Sequence, residues 1–199
     1  GNANLQFLTG SEKVGPYASD AQDGHTSVQG EITDTPALCG SCHDVFNYPA
    51  LRIEDAFTEY TTSPAKEEGV RCQDCHMGAV PGVAGEREWG ASAVVENQTY
   101  PDREQASHLF VGPDYSLLDD FPFPDDLEAS ALAQAENLAR IQVLLSNAAR
   151  LASVDVHDTE GVTRVEIEVE SLTSGHNVPT GFTSERQMWL DVRVEKNGS

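Results

Sequence analysis

Apolar and polar positions alternate over two stretches in the last third of the chain. Val165, Ile167 and Val169 interleave with Arg164, Glu166, Glu168 and Glu170, and Leu190, Val192 and Val194 interleave with Asp191, Arg193 and Glu195. A period of two predicts strands with one buried and one wet face. Val154 and Val156, followed by Asp158-Thr159-Glu160-Gly161, predict a hairpin leading into the first of them. Asn197-Gly198-Ser199 ends the sequence on a hairpin-turn signal with no returning strand. The antiparallel, β-sandwich-like module over 153–199 is therefore expected to be completed by residues or a chain beyond this sequence.

Upstream the period lengthens. Asp125 and Glu128 have capping-box spacing, and Leu127, Ala131, Leu138, Ile141, Leu145 and Ala148 recur at three-, four- and seven-residue steps. One long connecting helix is predicted over 125–152, its apolar stripe packed on the preceding region or, as the alternative, forming an oligomer seam. Residues 1–124 are rich in Gly, Pro, Ser, Thr and Asp and have few periodic stretches, so they read as loop-rich chain with short helices, one of them around 53–60. The fold class predicted is α+β.

The loop-rich region contains the most specific chemistry. Cys39-Gly40-Ser41-Cys42-His43 and Cys72-Gln73-Asp74-Cys75-His76 use all 4 cysteines, each pair followed directly by histidine. CxxCH is the attachment motif of c-type haem: two thiols a short turn apart form thioethers to one porphyrin, and the next residue presents an imidazole to the iron. An all-thiolate zinc ribbon or two disulfides would also use four cysteines, but neither explains the histidines. With 6 histidines in 199 residues, two such placements by chance have a probability of about one in a thousand. Two covalent haems c are the cofactors expected, bound by Cys39, Cys42 and His43 and by Cys72, Cys75 and His76.

Ligands for the opposite faces come from a short list. Met77 adjoins a proximal histidine and lies on the wrong side of that haem, and Met188 starts a predicted strand and reads as core. His157 falls on the wet face of the predicted hairpin. That leaves His25 in a loop ahead of the first motif, His108 among apolar residues, and His176 in a tight loop with two glycines and a proline. Bis-histidine ligation implies lower potentials than Met/His ligation.

Several stretches together resemble bacterial multihaem c-type cytochromes: Leu38 to Val45, Thr58-Glu59-Tyr60 to Ser63-Pro64, Gly69 to Met77, Ser107-His108 to Gly112, and Gly175-His176 to Gly181 followed by Arg186 and Trp189. They cover roughly half of the chain. The resemblance implies bis-His haems, distal histidines drawn from far along the sequence (His25, His108 and His176), and an electron-transfer role. Such cytochromes often carry more than two motifs. Three distal candidates for two haems leave one over, which would ligate a haem of a neighbouring subunit or of a segment outside this sequence.

Composition narrows the partners. The 33 acidic against 12 basic residues give a formal net charge of −21, which argues against nucleic acid and anionic membrane surfaces and favours a basic redox partner. Such a surface also suits solubility at high salt. No stretch approaches the ~20 apolar residues of a membrane span. The start at Gly1, without Met or a signal peptide, is expected to reflect processing or a part of a longer protein. Haem attachment to CxxCH takes place outside the bacterial cytoplasm, which predicts a periplasmic or extracellular location.

Two other functions are compatible with the motifs. An enzyme would leave one iron open to a small nitrogen compound such as nitrite or hydroxylamine, with Arg71 as a cation beside it. A structural role would use the haems as cross-links. The sequence has no phosphate-binding glycine loop, GxSxG or HExxH. The pairs Asp119-Asp120 and Asp125-Asp126 lack EF-hand spacing and read as solvated.

Overall fold

The computed structural model describes residues 10, 12–17, 26–48, 50–85, 87–95 and 98–195. In chain order the elements are β1 (Lys13–Gly15), β2 (Ser27–Gln29), α1 (Pro36–Gly40), β3 (Val45–Asn47), β4 (Leu51–Glu54), α2 (Ala56–Thr61), α3 (Pro64–Glu68), α4 (Cys72–His76), β5 (Glu88–Ala91), β6 (Val94–Val95), β7 (Gln98–Thr99), β8 (Asp102–Gln105), α5 (Leu127–Ser146), β9 (Ala149–Thr159) and β10 (Val162–Ser171), followed by a 3-10 turn at Thr183–Glu185. The strands form two-stranded sheets; β1–β2 is parallel and the other pairs are antiparallel. Mixed helix and strand with small antiparallel sheets and one long helix fits the α+β class.

The helix begins and ends inside the predicted limits. Asp126, not Asp125, is the N-cap, its carboxylate accepting from the Ala129 amide at 2.9 Å. The helix stops at Ser146, because Asn147 takes the C-cap and residues from Ala149 onward pair with β10. The inward face also differs from the predicted stripe. Leu127, Leu138 and Leu145 are exposed, and only Ile141 of that stripe is buried. The face turned inward carries Ser130, Gln134 and Asn147. Ser130 bonds both backbone groups of Phe123, Gln134 donates to the carbonyls of Leu118 and Phe121, and Asn147 donates to that of Pro81. These polar side chains satisfy carbonyls of irregular loop, which leucines cannot do.

The predicted hairpin is present as β9–β10, reversing at Glu160 and Gly161, whose φ values of 52° and 81° give the paired left-handed residues of a tight hairpin turn. Its alternation places Val154, Val156, Val165 and Ile167 on one face, with Asp155, His157, Arg164 and Glu166 on the other. Residues 190–195 form no strand, although their pattern alternates. Two strands of a sheet are seen among the described residues where a sandwich-like module was expected. Met188, expected in a core, is 54 % exposed, because the segment that holds it has no sheet to cover it. The turn signal at Asn197-Gly198 lies outside the described residues.

The buried apolar side chains are few among the described residues: Tyr60, Ala65, Val111 and Ile141. Three of these lie in or adjoin the α1–α4 region, where both cysteine motifs sit. No helix among the described residues is long and apolar enough to cross a membrane.

Candidate haem-attachment site

Each motif folds as one helical turn. The His43 amide donates to the Cys39 carbonyl at 2.9 Å, continuing the turn begun by α1, and α4 contains the whole second motif. Thiols at i and i+3 and an imidazole at i+4 therefore share one face of the turn, the arrangement that haem attachment requires. All four cysteines are free thiols. Among the described residues, no three His, Cys, Asp or Glu side chains converge as a metal-ion site would require.

The residues between the cysteines lock the two motifs together. Gln73 is buried, and its side-chain amide donates to the Thr35 carbonyl at 2.8 Å, joining α4 to the start of α1. At Gly40 a side chain has no room, since a Cβ would lie 2.5 Å from the Phe57 ring. Arg71 forms paired bonds to Asp74 at 2.8 and 3.1 Å and reaches Asp34 at 2.7 Å, and Arg87 lies 3.4 Å from both carboxylates. Bonding to Asp74 raises the Arg71 pKa against the cost of its burial, with Asp34 adding to the effect. The Asp74 carboxyl is disfavoured by burial, yet the bonds from Arg71 hold it below its usual range. Arg71, the cation considered for an anionic substrate, is thus committed to a staple.

This docking brings the first cysteine of each motif into contact with the other. The hydrogen bond from Cys72 lowers the Cys39 thiol to about 7 against the opposing effect of burial, and the same contact and burial push Cys72 up. Burial, with Asp74 beside it, also raises Cys75.

The imidazoles of both motifs are oriented through Nδ1. His43 Nδ1 donates to Glu54 Oε1 at 3.0 Å, and His76 Nδ1 donates to the Val111 carbonyl at 3.0 Å. Neither a carbonyl nor a carboxylate oxygen can donate in return, so Nδ1 carries a proton in each ring, and in a neutral imidazole that leaves the lone pair on Nε2. Burial lowers the His76 pKa, opposed by the Val111 bond and reinforced by His176 and His43, which keeps the ring neutral. A neutral imidazole with a tied Nδ1 is the form that binds metals.

His176 comes to the same place from the far end of the sequence. Its ring centroid lies 6.1 Å from that of His76, with 29° between the planes, and its own Nδ1 donates to the Asn177 carbonyl at 2.9 Å. Two metal–imidazole bonds of about 2 Å each, plus the roughly 1 Å from each bound nitrogen to its ring centre, would span a separation of this size. The loop is clamped by Glu59, whose carboxylate accepts from the Asn177 amide at 3.0 Å, from the Asn177 side chain, and from Thr180 Oγ1 at 2.6 Å. Gly181, at φ 71°, closes the loop where an L side chain would be strained.

The other candidates are placed differently. His108 is exposed, its ring edge-on to Phe110 at 6.0 Å, and its segment serves His76 through the Val111 carbonyl. His157 is exposed on the polar face of the hairpin, as predicted. His25 lies outside the described residues. Glu54 was not found from the sequence. It sits eleven positions after His43, and only the β3–β4 reversal brings it back. No family model, curated protein or solved structure matches this chain.

Proposed function

We propose that this chain is a two-haem c-type cytochrome that carries electrons outside the cytoplasm. Cys39, Cys42, Cys72 and Cys75 would form the thioethers, His43 and His76 would be proximal ligands, and His176 would be the distal ligand opposite His76. His25 and His108 are the remaining distal candidates. When bound, haem supplies a one-electron ferric/ferrous couple and a large apolar surface for a chain with a sparse core. The protein's part would be to hold each Nε2 in place, keep the His76 imidazole neutral, and bring the attachment points together through Cys39 and Cys72. The acidic surface favours a basic redox partner.

The observation that carries this reading is the His76–His176 pair, two imidazoles 6.1 Å apart, each with Nδ1 tied to a backbone carbonyl. Its test is the absorption and EPR spectrum of the protein made in a host that attaches haem to CxxCH. Low-spin iron that stays unreactive to carbon monoxide on reduction is expected at the His76 centre; high-spin iron there would oppose the assignment.

A further inference from the structure

We propose that Glu54 sets the reduction potential of the His43 centre below that of the His76 centre, so that a single electron shared by the pair rests on the His76 side. This rests on the two-haem reading above and adds to it a direction.

The two proximal imidazoles are oriented alike but by different acceptors. His43 donates to a carboxylate, whereas His76 donates to a neutral backbone carbonyl, both at 3.0 Å. A carboxylate draws the Nδ1 proton more strongly and leaves Nε2 a stronger donor, which favours ferric over ferrous iron. The Glu54 side chain is only 5 % exposed, so its charge is poorly screened by solvent.

The surrounding charges maintain the asymmetry. Arg52, on the same strand, is engaged with Asp44 at 3.5 Å and with the face of Phe46 at 4.6 Å. Arg186, whose guanidinium adjoins Gly181 as the Glu54 carboxylate does, pairs with Asp114 at 2.8 Å. Near the second motif, Arg71 and Arg87 face Asp34 and Asp74, two cations against two anions. The carboxylate bonded to the His43 ring thus has no counterpart on the His76 ring, whose tied nitrogen meets only a dipole; Glu59, the carboxylate near His176, is bonded to Asn177 and Thr180.

Glu54 is a positioning residue acting through His43. The test is a potentiometric titration of the haem-loaded protein and its E54Q variant, with EPR of each oxidised form. E54Q keeps the side chain's size and removes its charge. One potential is expected to rise by the equivalent of about a tenfold change in the ferric-to-ferrous ratio, 59 mV for one electron, while the other stays in place and one low-spin EPR signal shifts. E54D, which restores the charge, is expected to bring the potential back toward wild type. Unchanged potentials, or two potentials moving equally, would overturn the inference while leaving the two-haem reading intact. Absence of haem from the intact mass would remove both. If E54Q does not load haem, the wild-type titration still decides: the higher-potential step must belong to the centre whose spectrum changes in H176A, and assignment to the other centre would overturn the inference.

Discussion

Glu59 and Asn177 stand 118 positions apart and are joined twice, through the backbone amide and the side-chain amide of Asn177. This links the short helix between the two motifs to the loop that presents His176. Burial disfavours the Glu59 carboxylate, but the bonds from Thr180 and Asn177 outweigh it and hold its pKa below the usual value. A carboxylate depressed in the folded state stabilises the fold above its unfolded pKa, and that contribution is lost as pH falls through the folded value. Melting temperature followed from pH 7 downward is expected to fall more steeply for wild type than for E59Q below about pH 4.3. Parallel curves would show that the clamp adds no pH-dependent stability.

The pairing of His176 with His76 predicts a selective effect. Replacing His176 with alanine should convert one of the two haems to a high-spin, carbon monoxide-binding form and leave the other spectrum unchanged. H157A, on the polar face of the hairpin, should leave both as in wild type. An unaltered spectrum in H176A would assign the distal ligand elsewhere.

At Gly40 the constraint is steric. A methyl group there meets the base of the Phe57 ring rather than the end of a flexible side chain. G40A is therefore expected to destabilise the protein by about 1–3 kcal/mol, the usual penalty of overpacking. Chemical denaturation measures this directly, and a change within error would mean that Phe57 moves aside at no cost.

The contact between Cys39 and Cys72 predicts the chemistry of haem-free protein. With Cys39 lowered to about 7, its thiolate fraction grows as pH rises through neutrality, and the thiol it is hydrogen-bonded to, Cys72, belongs to the other motif. Mild oxidation of haem-free protein should give a Cys39–Cys72 cross-link that forms faster at pH 8 than at pH 6. Peptide mapping that finds only Cys39–Cys42 and Cys72–Cys75 bridges would contradict the docking of the two turns.

The parts legible in the sequence are those where local chemistry leaves little choice. Covalent attachment requires the CxxCH spacing, so Cys39 to His43 and Cys72 to His76 stand out without a fold. The hairpin is legible because alternation and Glu160-Gly161 act over neighbouring residues. Alternation at 190–195 is just as clear, but a strand needs a partner as well as a pattern, and none pairs with it among the described residues. The helix was visible by its period, whereas its inward face was not: Gln134 and Asn147 face inward because of loop carbonyls that the helix's own sequence does not show. Glu54 escaped notice for the same reason, as its meeting with His43 depends on a chain reversal between them.

The measurement that tests the central claim most directly is the intact mass of the denatured protein, produced with a haem-attachment system, beside variants with both cysteines of one motif replaced by alanine. Two added haems on wild type and one on each of C39A/C42A and C72A/C75A are the expected result. An apoprotein mass for wild type, with the thiols free, paired or holding zinc, would contradict it.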